Sequence, residues 1–154
     1  MGALITVGIM GAALAAYGEL ASHAAQREKE QELLFVGEQF RQAIRAYYER
    51  TPGAVKRYPQ KLEHLLEDKR HPMPQRHLRR LYADPVTGSK QWGLLQAPEG
   101  GIMGVHSLSQ AEPIKSAGFA ARDSAFEGAA RYSDWQFGYV PPRPVEQATQ
   151  TPSG

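Results

Sequence analysis

The sequence predicts an α+β fold in which one long N-terminal helix packs on a small antiparallel β-sheet. Three observations carry this reading. The first 18 residues hold no charged side chain. The residues that follow, up to Arg50, are rich in strong helix formers and place their apolar side chains at helical spacing. Beyond Thr51-Pro52-Gly53 the chain breaks into short apolar segments separated by turns rich in Gly and Pro.

The first of these segments, Ala3–Ala16 (ALITVGIMGAALAA), is apolar or small throughout except for Thr6, whose hydroxyl can bond back to its own helix. Apolar character continues to about Ala25, interrupted by Glu19, Ser22 and His23. A spanning helix needs about 20 such residues, with roughly 17 as the lower limit. The run suffices if Tyr17 sits at the interface and Glu19 reaches toward the headgroups. A secretory signal peptide would carry a basic n-region, which is missing here, and Ser22-His23-Ala24 is a mediocre cleavage site. A buried core helix is disfavoured because the segment is apolar on all sides in a small chain. Residues 1–25 are therefore expected to form the membrane half of the helix. Gly2, Gly8 and Gly11 would let a neighbouring helix approach, although their spacing makes no GxxxG motif.

No Pro occurs before Pro52, so nothing stops the helix at the membrane. In Gln26–Arg50, Leu33, Val36, Phe40, Ile44 and Tyr47 fall on one face, widened by Leu34, Ala43 and Tyr48. Glu28, Lys29, Glu32, Glu38, Arg41, Arg45 and Glu49 lie mostly off it, with Glu38 pairing with Arg41 and Arg41 linked to Glu49 through Arg45. One helix from about Ala3 to Arg50 would be about 70 Å long. The competing arrangement is two helices hinged near Gly18.

In the remainder, Gln60–Asp68 reads as a short amphipathic helix and Lys69–Arg80 as a basic connector with two prolines. Leu81–Ala83 and Gln91–Leu95 read as strands around the turn Asp84-Pro85-Val86-Thr87-Gly88. After the turn at Pro98–Gly101, Ile102–Leu108 is a further strand. Ala121–Ala130 is a short helical piece, and Asp134–Val140 a last strand with Trp135, Phe137 and Tyr139 on one aromatic face. The tail, residues 141–154, is rich in Pro and is expected to be disordered. The helix stripe Leu33–Tyr47 is the natural cover for the sheet, giving a globular domain over residues 26–140.

Composition limits function. The chain of 154 residues has room for one domain, its net charge of +2 is too small to imply a polyanionic partner, and the absence of Cys removes disulfides, thiol catalysis and Cys-based zinc sites.

Four segments carry a family resemblance: AAQREKEQELLFVGEQFRQAI (Ala24–Ile44), RHLRRLYADPVTGSKQWGL (Arg76–Leu94), GGIMGVHS (Gly100–Ser107) and PIKSAGF (Pro113–Phe119). With the greasy helix merging into an amphipathic one, they resemble the type IV pilin and type II secretion pseudopilin family, of the major-pseudopilin kind. The resemblance runs over nearly the whole chain up to Val140. It implies a pilin-like fold and a structural, non-catalytic subunit of a pseudopilus or pilus-like filament that helps export folded protein. The implied partners are copies of itself, other pseudopilins, inner-membrane secretion-platform proteins and the lipid bilayer, with no cofactor. The implied location is the bacterial inner membrane, single-pass, with the domain in the periplasm. Charges from Arg27 to Glu32 would set the register between subunits. The chain departs from the family at its start: the basic leader, the Gly-Phe-Thr-like cleavage motif and the early Glu are not among its residues, and its first acid is Glu19. This departure bears on prepilin-peptidase cleavage, N-methylation and filament insertion, none of which is carried over to the chain as written. The alternative function is a membrane-anchored periplasmic binding or scaffold module that does not polymerise.

No residue stands out as catalytic, cofactor-binding or metal-ligating. His23, His64, His71, His77 and His106 make no H-x-x-x-H or H-E-x-x-H spacing and read as loop or surface residues. The one imaginable cluster is His71 and His77 with Asp68. Some major pseudopilins hold calcium near the C-terminus; the candidates here are Asp123, Glu127, Asp134 and the carbonyls around Ser133, in no EF-hand spacing. The basic run Lys69, Arg70, Arg76, Arg79 and Arg80 reads as a solvated face, and no nucleic acid is expected. Gly100–Gly104 is a turn rather than a phosphate loop, and Trp92 and Trp135 are expected in the core.

Overall fold

A computed structural model describes the backbone of residues 2–144 and the side chains of residues 10–144. One helix, α1 (Gly2–Glu49), runs unbroken for 48 residues and passes straight through Gly18, so there is no hinge there. It packs on a three-stranded antiparallel sheet of β1 (Gly93–Gln96), β2 (Ile102–His106) and β3 (Gln136–Gly138), in the order β1-β2-β3. The fold is α+β, as the residue pattern predicts.

The core sits between the two layers. Leu33, Val36, Phe40, Ile44 and Tyr47 from α1 are all buried, and so are Ile102, Val105, Trp135 and Phe137 from the sheet side. The predicted stripe is therefore the seat of the sheet. At 25 cal/mol per Å², each of these large side chains contributes about 2 kcal/mol on burial, which a short three-stranded sheet alone does not supply. Trp92 packs edge-on against Phe40, 5.1 Å between ring centroids. Trp135 lies fully buried among Phe119, Phe126 and Tyr132.

At one position the layers approach more closely than a side chain allows. A Cβ built on Gly37 would overlap the Phe137 ring. The glycine, otherwise a weak helix former, is what lets β3 lie flat on the helix.

α1 ends where Thr51 Oγ1 donates to the Tyr47 carbonyl at 3.2 Å and the backbone turns at Gly53, φ 86°. The helical piece expected over Gln60–Asp68 is a 3₁₀ turn, Leu62–Leu65, anchored by buried Leu65. The one expected over Ala121–Ala130 is likewise 3₁₀, Ala121–Phe126.

Leu81–Ala83 is not a strand. Its Tyr82 carbonyl accepts the Trp92 indole N–H at 2.9 Å, and Asp84 N–H turns back to the Ser89 carbonyl, so the segment has no neighbouring strand to pair with. β2 stops at His106, before Leu108, because Ser107 turns its hydroxyl onto buried Asp84. The expected turn at Asp84–Gly88 is present: Gly88 N–H donates to the Asp84 carbonyl at 2.7 Å, with Gly88 at φ 74°.

The expected membrane segment falls partly on residues whose side chains lie outside the described ones, since these start at Met10. Among the described residues no helix is long and apolar enough to cross a membrane. Residues 145–154 of the expected disordered tail also lie outside the described residues.

Candidate functional site

α1 divides by its surroundings. Every residue from Met10 to Ala25 is exposed, including Met10, Leu14, Tyr17 and Leu20. This part of the rod, about 23 Å long at 1.5 Å per residue, projects beyond the domain. The side-chain hydrogen bonds to the domain begin at Gln26, whose amide donates to Tyr132 Oη at 2.8 Å and to the Glu112 carbonyl at 3.1 Å. An amphipathic helix with a buried stripe needs partners on one face only. A helix with exposed apolar residues on several sides needs partners all round, whether lipid or other helices.

One turn further on, Glu30 points inward. It is 3% exposed, and its carboxylate accepts hydrogen bonds from Tyr132 Oη at 2.8 Å and from the backbone N–H groups of Ile114 and Lys115. This clasp fixes the 112–115 loop to the helix at the point where α1 leaves the domain. Burial pushes the Tyr132 hydroxyl up to about 12; Gln26 opposes that shift and Glu30 adds to it. Tyr132 therefore remains a donor at any ordinary pH.

Spacing along α1 holds a signal for Glu30 that apolar periodicity alone misses. Glu30, Leu33, Gly37, Phe40, Ile44 and Tyr47 are spaced three and four apart, so Glu30 continues the buried stripe. A carboxylate on a core stripe demands donors. Its partners, more than 80 positions away, are not readable from local pattern. Glu30 is also removed from the charged collar Arg27–Glu32 that was expected to face other subunits. Arg27, Glu28, Lys29 and Glu32 remain exposed.

At the other end of the domain the structure gathers Asp68, His71 and His77, together with Arg70. Asp68 is fully buried and accepts from Arg70 Nη2 at 2.7 Å and from His77 Nε2 at 2.9 Å, with His71 Nε2 at 3.7 Å. Arg70 also donates to the Tyr47 carbonyl at 2.8 Å and to Thr51 Oγ1 at 2.9 Å, and its guanidinium lies 3.5 Å from the Tyr47 ring centroid. A cation on the last carbonyls of a helix is favourable, so this cluster caps α1 and ties it to the 68–77 loop. Burial opposes ionisation of Asp68, but the Arg70 and His77 hydrogen bonds outweigh it and hold the carboxyl well below the usual carboxylate range. Arg70 occupies the space beside the carboxylate. Among the described residues no group of three His, Asp or Glu is disposed to hold a metal.

The calcium candidates are not assembled either. Asp123 accepts from Arg41 at 2.8 Å and faces Arg122, Asp134 faces Arg131, and Glu127 is exposed. Arg41 thus bridges Glu38 to Asp123, while Glu49 is paired by Arg45 at 3.0 Å rather than reached from Arg41. In the basic run, Arg70 is committed to Asp68 and Lys69 lies 3.5 Å from Glu67. Arg76, Arg79 and Arg80 are exposed. Trp92 and Trp135 are both in the core.

No family model, curated protein or solved structure matches this chain.

Proposed function

We propose that this protein is a structural subunit of a pseudopilus or pilus-like filament in a protein-export system, held in the bacterial inner membrane by α1 with its domain on the periplasmic side. It works by packing rather than by catalysis. The observation that carries the reading is the division of α1: Met10–Ala25 projects with every side chain exposed, and the same rod then becomes the seat of the sheet. A rod clasped by its own domain at Gln26 and Glu30, and bare beyond, suits an element shared between lipid and the helices of neighbouring copies. Its partners in this reading are copies of itself, other pseudopilins and the secretion platform.

The test is crosslinking in membranes. The chain lacks Cys, and a Cβ at Gly11 meets nothing within 4 Å, so Gly11→Cys introduces a single thiol with no steric conflict in the subunit. Oxidation of membranes carrying it is expected to give a ladder of oligomers. Membrane-bound monomer without a ladder would favour the non-polymerising scaffold module, and recovery of the protein wholly in the soluble fraction would sink both.

A further inference from the structure

The basic run has a second half that the clasp and the cap do not use. Arg76, Arg79, Arg80 and Lys90 line one groove over a floor that includes Val36 and Leu66. All four are exposed, and none has an ion-pair partner among the described residues. Arg80 is steadied 4.8 Å from the Tyr82 ring centroid, and Arg76 Nε lies 3.4 Å from the Leu66 carbonyl. Glu32 is the one acid lining the groove.

Its position is informative. Pro85, from the turn that borders the groove, also lines a neighbouring shallow groove with Ala25, Glu28, Lys29 and Glu32. The end of the groove at Pro85 and Glu32 therefore faces the edge where α1 leaves the domain, while Arg76 and Leu66 lie toward the Asp68 cap. From Ala25 to Val36 is about 16 Å along the helix. Directed to this face, a helix tilt of about 20°, ordinary in a bilayer, lowers it toward the membrane. Guanidinium groups bind phosphate oxygens bidentately, and clustered cations next to a membrane helix are drawn to anionic lipid.

We propose that this groove binds the phosphate headgroups of anionic phospholipids and so sets the tilt of the domain over the bilayer. This rests on the reading of α1 as a membrane anchor. An acidic polypeptide would meet the same charge, but the groove's place at the helix-exit edge favours the bilayer.

The test uses the full chain with a fluorophore on Thr87→Cys, the only thiol present, in the exposed turn. The protein is reconstituted in vesicles of phosphatidylcholine, alone or mixed with phosphatidylglycerol, each doped with headgroup-spin-labelled lipid. Quenching is expected to rise with phosphatidylglycerol and to fall back at high salt. At about fivefold per cation near an anionic surface, Arg79→Gln/Arg80→Gln/Lys90→Gln should lower the docked-to-undocked ratio on the order of a hundredfold. Arg79→Lys/Arg80→Lys, which keeps the charge, should retain the rise. Quenching equal in both lipids, or a rise untouched by the triple variant, would overturn the proposal. So would displacement of the probe by polyglutamate with no response to phosphatidylglycerol, which would assign the groove to an acidic polypeptide. Failure to enter neutral vesicles would sink the anchor reading alone, because salt-sensitive flotation of that unanchored chain with phosphatidylglycerol vesicles would still support the groove.

Discussion

Tyr132 donates its phenolic proton to Glu30 at 2.8 Å, joining positions 102 apart in sequence at the point where the helix leaves the domain. Removing the carboxylate strands two backbone N–H groups as well as the phenol. Glu30→Ala is expected to destabilise the protein by about 2–3 kcal/mol, and Tyr132→Phe by about 1 kcal/mol. A double-mutant cycle read by denaturant unfolding should give a coupling of about 1 kcal/mol. Strict additivity would show that the two groups do not act as a pair.

Asp68 carries the acid sensitivity. Its folded carboxyl titrates below its unfolded value of about 3.9. The stabilisation is therefore fully present above about pH 4 and is lost as pH falls through the folded value. Asp68→Asn is expected to cost about 3 kcal/mol at neutral pH, because Arg70 and His77 lose a buried partner. It should also flatten the fall in stability below pH 4. An unchanged acid limb in thermal melts would place the sensitivity elsewhere.

Gly37→Ala sets two effects against each other. Alanine improves helix propensity by about 1 kcal/mol. Its methyl group overlaps the Phe137 ring, which is fully buried and packed edge-on against Phe126. Overpacking of this kind costs about 1–3 kcal/mol, so a net loss is expected in chemical denaturation. A gain in stability would mean that β3 can lift from the helix freely.

Phe35 offers a test of the proposed assembly that leaves folding aside. It is 53% exposed on the domain half of α1. Since 18 residues make five turns, it lies in line with Tyr17. Phe35→Ser is expected to shift monomer stability by no more than about 0.5 kcal/mol, while weakening the Gly11→Cys crosslinked ladder in membranes. A ladder of undiminished intensity would remove Phe35 from the interface.

The fold was readable where periodicity ruled. The stripe from Leu33 to Tyr47, the break at Thr51–Gly53 and the aromatic alternation at Trp135–Tyr139 follow from spacing and turn chemistry alone. Leu81–Ala83 misled because its apolar residues resemble a strand, while a single indole bond from Trp92 to the Tyr82 carbonyl decides its backbone. The short helical pieces were readable as helical but not as 3₁₀, since that distinction depends on how few residues the neighbouring loops leave. At the clasp, Glu30 was legible from its place on the stripe, but Ile114 and Tyr132 were not, because nothing local announces a partner more than 80 positions away. The Asp68 cluster was half visible. The residue types mark His71 and His77 with Asp68 as an imaginable ligand set, while Arg70, two residues after Asp68, makes the cluster a helix cap.

Two ties on α1, at Gln26 with Glu30 and at Tyr47 with Thr51, lie on either side of the buried seam from Leu33 to Ile44. A pull or twist on the bare end of the rod is therefore carried by the helix into both ties and the seam, which share the load in shear. The sheet, with strands of three to five residues, need not bear that load through its own ladder. Mechanically the domain is a head mounted on a shaft, and the tie at Gln26 and Glu30, nearest the applied force, is where it should begin to yield.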